Sequence, residues 1–296
     1  MTVPNSRTPP RLLSVVIPVR NGATVIGAQL ESLARQDYDG EWEVVVVDNG
    51  STDDSVDAVQ AFEGRVPGLR VVSATRKGHS IARNAGAQAA KGDFLLYCDA
   101  DDVASPHWVS AMASAAATCD VLGGYNDAET LNEGLNRTWR RQQRSDRLPT
   151  KMGFLPLALT ANFGIRASVL DDIGGFNETY EEGCNDVEVS WRAQLAGYEL
   201  CYVPDAVMAY RYRTDLSALG RQMYRRGLAE PKLYRDFRGR GVPKRQLTDT
   251  VRALAPVVTL LPECLLRRSR QGLWVKRVAL LAGRVRGSIK YRTFYV

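Results

Sequence analysis

Phe94-Leu95-Leu96-Tyr97-Cys98-Asp99-Ala100-Asp101-Asp102 sets five largely apolar residues directly against three carboxylates within four positions. The apolar run has the length of a short buried strand. Like charges a few ångströms apart repel, and folds tolerate such a cluster where a cation or a polar ligand sits among them. The simpler use of an acidic residue here is a helix cap, with Asp102 or Ser105 capping a helix from about Pro106. One cap needs one carboxylate and leaves two unexplained.

The same grammar repeats upstream. Leu12 to Val19 is a β-branched apolar run closed by the turn Arg20-Asn21-Gly22, after which Thr24 can cap a helix to Arg35. Glu43 to Val47 is a second such run, ending in Asp48-Asn49-Gly50-Ser51 with Thr52 or Asp53 as the next cap. Leu69 to Ser73 is a third strand, and Ser80 to Ala90 is an alanine-rich helix. Alternation at this spacing implies right-handed βαβ units and an α/β fold on a mostly parallel sheet. Ligands bind at the carboxyl ends of such strands, which aligns Arg20-Asn21, Asp48 and Asp99 to Asp102 on one edge. Further on, Ala167 to Ile173 and Asp186 to Leu195 read as helices and Glu199 to Val203 as a strand. Tyr125 to Met152 reads as a long polar loop, and its Arg137 to Arg147 cluster is either solvated or folded over an anionic ligand.

The chain has 296 residues, 45% hydrophobic, enough for a sizeable core. Five cysteines without close or metal-type spacing read as reduced, buried, cytosolic thiols. With only His79 and His107, a histidine-based zinc site is not expected. No apolar stretch reaches the ~18–20 residues of a spanning helix. From Arg211 to Val296 there are 21 Lys/Arg against 5 Asp/Glu, whereas the chain before it is net acidic. Its acidic part suits a cation-dependent site. The helical, basic C-terminal part packs on the rest or lies on an anionic membrane surface. No recognition motif for nucleic acid is visible, and an acidic domain repels the phosphate backbone, so nucleic acid is not an expected partner.

Several of these pieces, in this order, resemble the family-2 inverting glycosyltransferases, which have the GT-A fold. They are Val16-Ile17-Pro18-Val19-Arg20-Asn21, Val47-Asp48-Asn49-Gly50-Ser51-Thr52-Asp53-Asp54-Ser55, Arg83-Asn84-Ala85-Gly86 and the Asp-x-Asp pattern at Cys98-Asp99-Ala100-Asp101-Asp102. Ile173-Gly174-Gly175-Phe176-Asn177-Glu178 and Asn185-Asp186-Val187-Glu188 to Arg192 follow as acceptor-side elements. The resemblance covers about Leu12 to Tyr210 and only loosely the residues after it; it implies a Rossmann-like mixed sheet with flanking helices for a domain over 12–213. The residues themselves read as a disordered lead-in over 1–11 and a basic, helical C-terminal region over 214–296. The resemblance also implies transfer of a sugar from a UDP, GDP or dTDP donor to a hydroxyl of a glycan or lipid-linked acceptor. By that resemblance Pro18, Arg20, Asn21 and Asp48 line the nucleotide pocket, Arg83 approaches the nucleotide or its phosphates, and Asp99 touches the ribose side. Asp101, with Asp99, would hold Mg²⁺ or Mn²⁺ on the diphosphate, Asp186 would be the catalytic base, and Gly174, Gly175, Asn185 and Trp191 would stand on the acceptor side. Location is expected to be cytoplasmic, with peripheral contact to the inner face of the membrane.

The pattern is broken twice. Asn185 stands where the family often has Glu, and no metal-binding His follows the last core strand, where the chain reads Met208-Ala209-Tyr210-Arg211-Tyr212-Arg213. Without that His the expectation is either weaker metal binding or arginines that take over part of the diphosphate neutralisation. A catalytically silent nucleotide-sugar-binding or scaffold protein, and a nucleotidyltransferase, are the alternatives.

Overall fold

Valines explain the first half of the sheet. In the computed structural model, which describes residues 8–134, 139, 144–213, 215–244 and 246–296, strands β1 (Leu13–Val19), β2 (Trp42–Asp48) and β4 (Phe94–Cys98) are buried almost throughout. Their side chains alternate between two cores. Leu13, Val15, Ile17, Val44, Val46, Phe94 and Leu96 enter one, and Val16, Val45, Val47, Leu95 and Tyr97 the other. Burial on both faces is what continuous apolar runs predict for parallel strands with helices on each side. With β3 (Arg70–Ser73) these strands pair in parallel, joined by α1 (Ile26–Leu33), α2 (Ser55–Gln60) and α3 (His79–Ala89).

The expected strand and helix cores hold here, but the caps do not. Val25, not Thr24, is the N-cap of α1, and its first turn is closed by the Gly22 carbonyl. Asp54 precedes α2 without a side-chain cap, while Asp53 accepts the Ser55 N–H.

The second half is less regular. β5 (Val103–Ala104), α4 (Trp108–Ala116), β6 (Val121–Asp127), β7 (Asn162–Arg166), α5 (Ala167–Asp172), α6 (Asn185–Leu195) and β8 (Leu200–Ala209) complete a mixed eight-stranded sheet of order β3-β2-β1-β4-β7-β6-β8-β5. β7, whose sequence carries no clean strand pattern, runs antiparallel to β4 and β6. The helix after β5 is capped by neither Asp102 nor Ser105: His107 holds the N-cap position without a side-chain bond. Of the lead-in expected over 1–11, residues 1–7 lie outside the described residues, and the Arg11 N–H donates to Asp93 at 3.0 Å. Most of the Arg137 to Arg147 cluster also lies outside them; within it, exposed Arg144 pairs with Asp146 at 2.7 Å.

One cysteine expectation is overturned. Cys119 and Cys201 form a disulfide, with Cα atoms 6.2 Å apart; Cys98, Cys184 and Cys264 are free and buried. The parallel pairing of β6 with β8, which aligns Leu122 with Cys201, brings together two thiols 82 residues apart. Spacing alone could not show this.

After β8 come α7 (Leu216–Phe237), a short 3-10 turn (Arg238–Arg240), α8 (Leu247–Thr259), α9 (Leu261–Leu266) and α10 (Arg268–Lys290). α7 and α10 approach backbone to backbone. A Cβ on Gly227 would fall 2.2 Å from the Leu280 carbonyl oxygen, and one on Gly283 2.2 Å from that of Tyr224. α7 also shares a core with α6: Ala229, Leu233 and Phe237 pack with Tyr180, Val187 and Trp191. Beneath it, buried Glu230 joins Lys151 at 2.5 Å and Arg284 at 2.6 Å.

Candidate functional site

The three carboxylates that follow β4 are brought together by the strand that follows them. β5 pairs antiparallel with the end of β8, Val103 opposite Ala209. This folds Asp101 and Asp102 against the segment leaving β8. One carboxylate oxygen from each of Asp99, Asp101 and Asp102 lies within 4.8 Å of the others. Asp102 is fully buried; one oxygen accepts the Arg211 N–H at 2.8 Å and the other has no partner. Burial, then the charge of Asp99, push its pKa up to about 9. Asp101 is raised by the same two causes, burial first, against the pull of Arg213. Arg213 reaches Asp101 at 3.1 Å, and the Arg211 Nε–H donates to the Asp101 carbonyl at 2.9 Å. The cluster is therefore an electrostatically strained anionic site, suited to a cation, with arginines along one side.

Arg83 closes the other side. It projects from α3, is 5% exposed, and donates to Asp99 at 3.3 Å. Its Nε and Nη1 are buried without hydrogen-bond partners, and the guanidinium lies 5.8 Å from the Phe176 ring centroid. His79, which no motif singles out, belongs to the same neighbourhood. Desolvation first, then Arg83, lower its pKa, while Asp99 opposes them and Arg225 and Arg213 add to them. Only the fold could reveal this, since His79 starts α3 and Arg213 follows β8.

The residues expected on the nucleotide side sit on the same sheet edge. Register places Val19 opposite Asp48, and Asp48 opposite Ser73. Asp48 accepts the Ser51 N–H at 3.0 Å, holding the turn after β2. Pro18 is half-buried and Arg20 exposed at the end of β1. Asn21, at φ 51°, accepts the Thr52 N–H at 2.8 Å. That bond ties the β1 and β2 loops together, so the Asn21 side-chain oxygen is a brace between them.

On the other flank, two of the sequence motifs hold each other. The Asn84 side-chain oxygen accepts the Phe176 N–H at 2.8 Å and its amide donates to the Phe176 carbonyl at 2.9 Å. Gly174 and Gly175, at φ 78° and 75°, make the turn after α5 that permits this. A Cβ on Gly175 would sit 3.0 Å from the Asn84 oxygen. Gly174 also lines a polar cavity of about 540 Å³ with Asn84, Glu188, Arg192, Asp236 and Arg240. Asp186 is not part of that cavity. It lies in the first turn of α6, half-buried, after Cys184 in the left-handed conformation and Asn185, whose side chain accepts the Asp186 N–H at 2.8 Å. The Asp186 charge reaches Arg226 of α7. Trp191 must be moved off any acceptor-facing surface. It is fully buried, donates to the Leu155 carbonyl at 2.9 Å, and is packed edge-on by Phe154 and Phe237.

The donor set suits a hard divalent cation: three carboxylates, one with a buried oxygen that has no partner, and no soft ligand among them.

The model of glycosyl transferase family 2 matches residues 14–174. The pre-mycofactocin glycosyltransferase of Mycobacterium tuberculosis is 30% identical over 242 residues, covering 75% of this chain and 47% of that protein. Glycosyltransferase AglE of Haloferax volcanii is 29% identical over 201 residues, covering 66% of this chain and 65% of the relative. The chain thus spans less than two thirds of either relative's length. Among solved structures, the mannosyltransferase PcManGT of Pyrobaculum calidifontis, in complex with GDP-Man and Mn²⁺, superposes with a TM-score of 0.64 at 18% identity, covering 97% of this chain and 90% of that one. TarS of S. aureus in complex with UDP-GlcNAc gives 0.55 at 20% identity, covering 96% and 93%. At these identities the likeness concerns the fold, which is the GT-A arrangement.

Proposed function

The chain belongs to glycosyl transferase family 2, and from that premise we propose that it is an inverting glycosyltransferase using a nucleotide-diphosphate sugar. The observation that carries this reading is the convergence of Asp48, Asp99 and Asp101 on one sheet edge, walled by Arg83, Arg211 and Arg213. Polar acceptors at the strand ends beside a carboxylate cluster and a set of cations are the chemistry that a nucleoside diphosphate with its cation calls for. The GDP-Man and UDP-GlcNAc bound by the two structural neighbours agree with that class of donor.

In this reading Asp48 receives the base and Asp99 the ribose. Asp101, with Asp99, would hold Mg²⁺ or Mn²⁺, which would supply Lewis-acid stabilisation of the charge on the diphosphate. Arg83 and Arg213 supply further positive charge on the same group. Arg213 lies in the stretch after the last core strand, where the family resemblance would allow a metal-binding His and this chain has none, and its ion pair with Asp101 supports a shared neutralisation by arginine and cation. Asp186 takes the proton from an acceptor hydroxyl as that oxygen attacks the anomeric carbon. The bond from the anomeric carbon to the diphosphate breaks, one new glycosidic bond forms, and the configuration inverts. One base suffices because no glycosyl-enzyme forms. A glycan or lipid-linked acceptor is the substrate class we infer.

The test is donor binding by calorimetry against UDP, GDP and dTDP sugars with and without Mn²⁺, followed by turnover and analysis of the product anomer. Asp186→Asn should lower turnover by about 10²–10⁴-fold, the range for a positioned base, with donor affinity unchanged. Absence of nucleoside-diphosphate binding, or a retained anomeric configuration, defeats the reading. Full turnover in Asp186→Asn removes that residue from the role.

A further inference from the structure

Among the described residues nine large hydrophobic side chains are exposed, and eight of them fall between Val251 and Phe294. They are not scattered. Val251, Leu254 and Val258 recur at i, i+3 and i+7 on one face of α8, and Leu261 and Leu266 continue the series through α9. Val258 is 72% exposed and Leu266 84%. On α10, Val285 and Ile289 stand four residues apart on the side away from α7, with exposed Phe294 just beyond the helix. Single exposed apolar side chains need no explanation, but a periodic series marks a surface that something covers.

The charge of the same stretch says what. Residues 251–296 hold ten Lys/Arg and one acidic residue. Arg252, Arg267, Arg270, Arg277, Arg286 and Lys290 are exposed beside the apolar positions. Few find a carboxylate: Arg252 reaches Asp249 only at 3.7 Å, and Arg270 shares Glu263 at 3.3 Å. Apolar stripes flanked by unneutralised arginine are the composition of a helix that lies in a membrane interface, with its long basic side chains reaching the headgroups. No helix among the described residues is long and apolar enough to cross a membrane. A second copy of the chain is the poorer occupant, because it would set this strongly basic surface against itself in a two-fold contact.

We propose that the α8–α10 face docks on the surface of an anionic lipid bilayer, with Val251, Leu254, Val258, Leu261 and Leu266 entering the headgroup boundary and the arginines binding lipid phosphates. This surface is independent of the sugar-transfer reading.

Vesicle co-sedimentation of the full chain tests it, using phosphatidylcholine alone and phosphatidylcholine mixed with phosphatidylglycerol, at about 0.1 M and about 0.5 M salt. The expected result is retention on the anionic vesicles only, weakened at high salt. Val258→Asp with Leu266→Asp should reduce retention at least about tenfold without lowering the unfolding temperature, since both side chains are exposed. Arg286→Gln and Lys290→Gln should each reduce it about fivefold. Equal retention on neutral vesicles, no retention at all, or retention indifferent to the Asp variants overturns the proposal. So does a concentration-dependent dimer, abolished by the same variants in a protein that ignores vesicles, because it gives the face to a second copy.

Discussion

Glu230→Gln measures how firmly the C-terminal helices are built into the catalytic half. Glu230 is 3% exposed on its side chain and bonds Lys151 at 2.5 Å and Arg284 at 2.6 Å, with Arg226 at 3.8 Å. Lys151 precedes the core strand β7, Glu230 lies on α7 and Arg284 on α10, so one carboxylate ties three parts of the chain. Glutamine keeps the shape and removes the charge, leaving buried cations without their counter-ion. Breaking a buried pair in this way costs about 3–5 kcal/mol. Linkage gives an independent figure. Burial raises the Glu230 pKa, but Lys151, Arg284 and Arg226 outweigh it and bring it from 4.5 to about 2. A drop of that size is worth about 3 kcal/mol. The sign follows from the direction. The folded-state pKa is depressed, so the stabilisation is fully present above the unfolded pKa of 4.5 and is lost as the pH falls through about 2. Urea unfolding should show Glu230→Gln less stable by about 3–5 kcal/mol at neutral pH, with a shallower loss of stability on acidification than the parent. A penalty under about 1 kcal/mol, or an unchanged acid slope, would refute the reasoning and mean that Lys151 and Arg284 find water or other partners.

Two further outcomes follow from the site and from the sheet. Arg213→Ala removes a cation 3.1 Å from Asp101; calorimetry should show Mn²⁺ binding to the protein without donor tightened about three- to tenfold, as expected for a half-exposed charge, and nucleoside-diphosphate binding weakened. Unchanged affinities for both would take Arg213 out of the site. Reduction of Cys119–Cys201, which closes a separation of 82 residues, should lower stability by up to about 4 kcal/mol from loop entropy, and the Cys119→Ser, Cys201→Ser double variant should match the reduced protein. Identical unfolding curves with and without reductant would argue against that bond in solution.

What the sequence made legible was whatever a local pattern controls. β1, β2 and β4 could be read because burial on both faces requires unbroken apolar runs, and their polar ends could be read because the chain must turn there. β7 could not, since each residue that breaks its pattern answers to a distant one. Asn162 is buried because it accepts from the Trp108 indole at 2.8 Å and donates to the Ala206 carbonyl at 2.8 Å. Gly164 is small because a Cβ there would meet Phe94 at 2.9 Å. The disulfide was hidden for the same reason, as was the place of His79. The carboxylate cluster shows both sides at once. Its existence was visible as a repulsion that needed a cause, but the sequence treats Asp99, Asp101 and Asp102 as nearly equivalent. The antiparallel seam between β5 and β8 makes them unequal. It buries Asp102 against the Arg211 N–H, offers Asp101 to Arg213, and leaves Asp99 to Arg83. Asp102, raised to about 9 by burial and by Asp99, is the member shut off from solvent, so the carboxylates open to an incoming ligand are the two residues of the Asp-x-Asp pair, with the unpartnered Asp102 oxygen behind them. That division of labour is a property of the seam, and it follows that a substitution in β8, well away from any ligand, can alter the affinity of the cluster as surely as one within it.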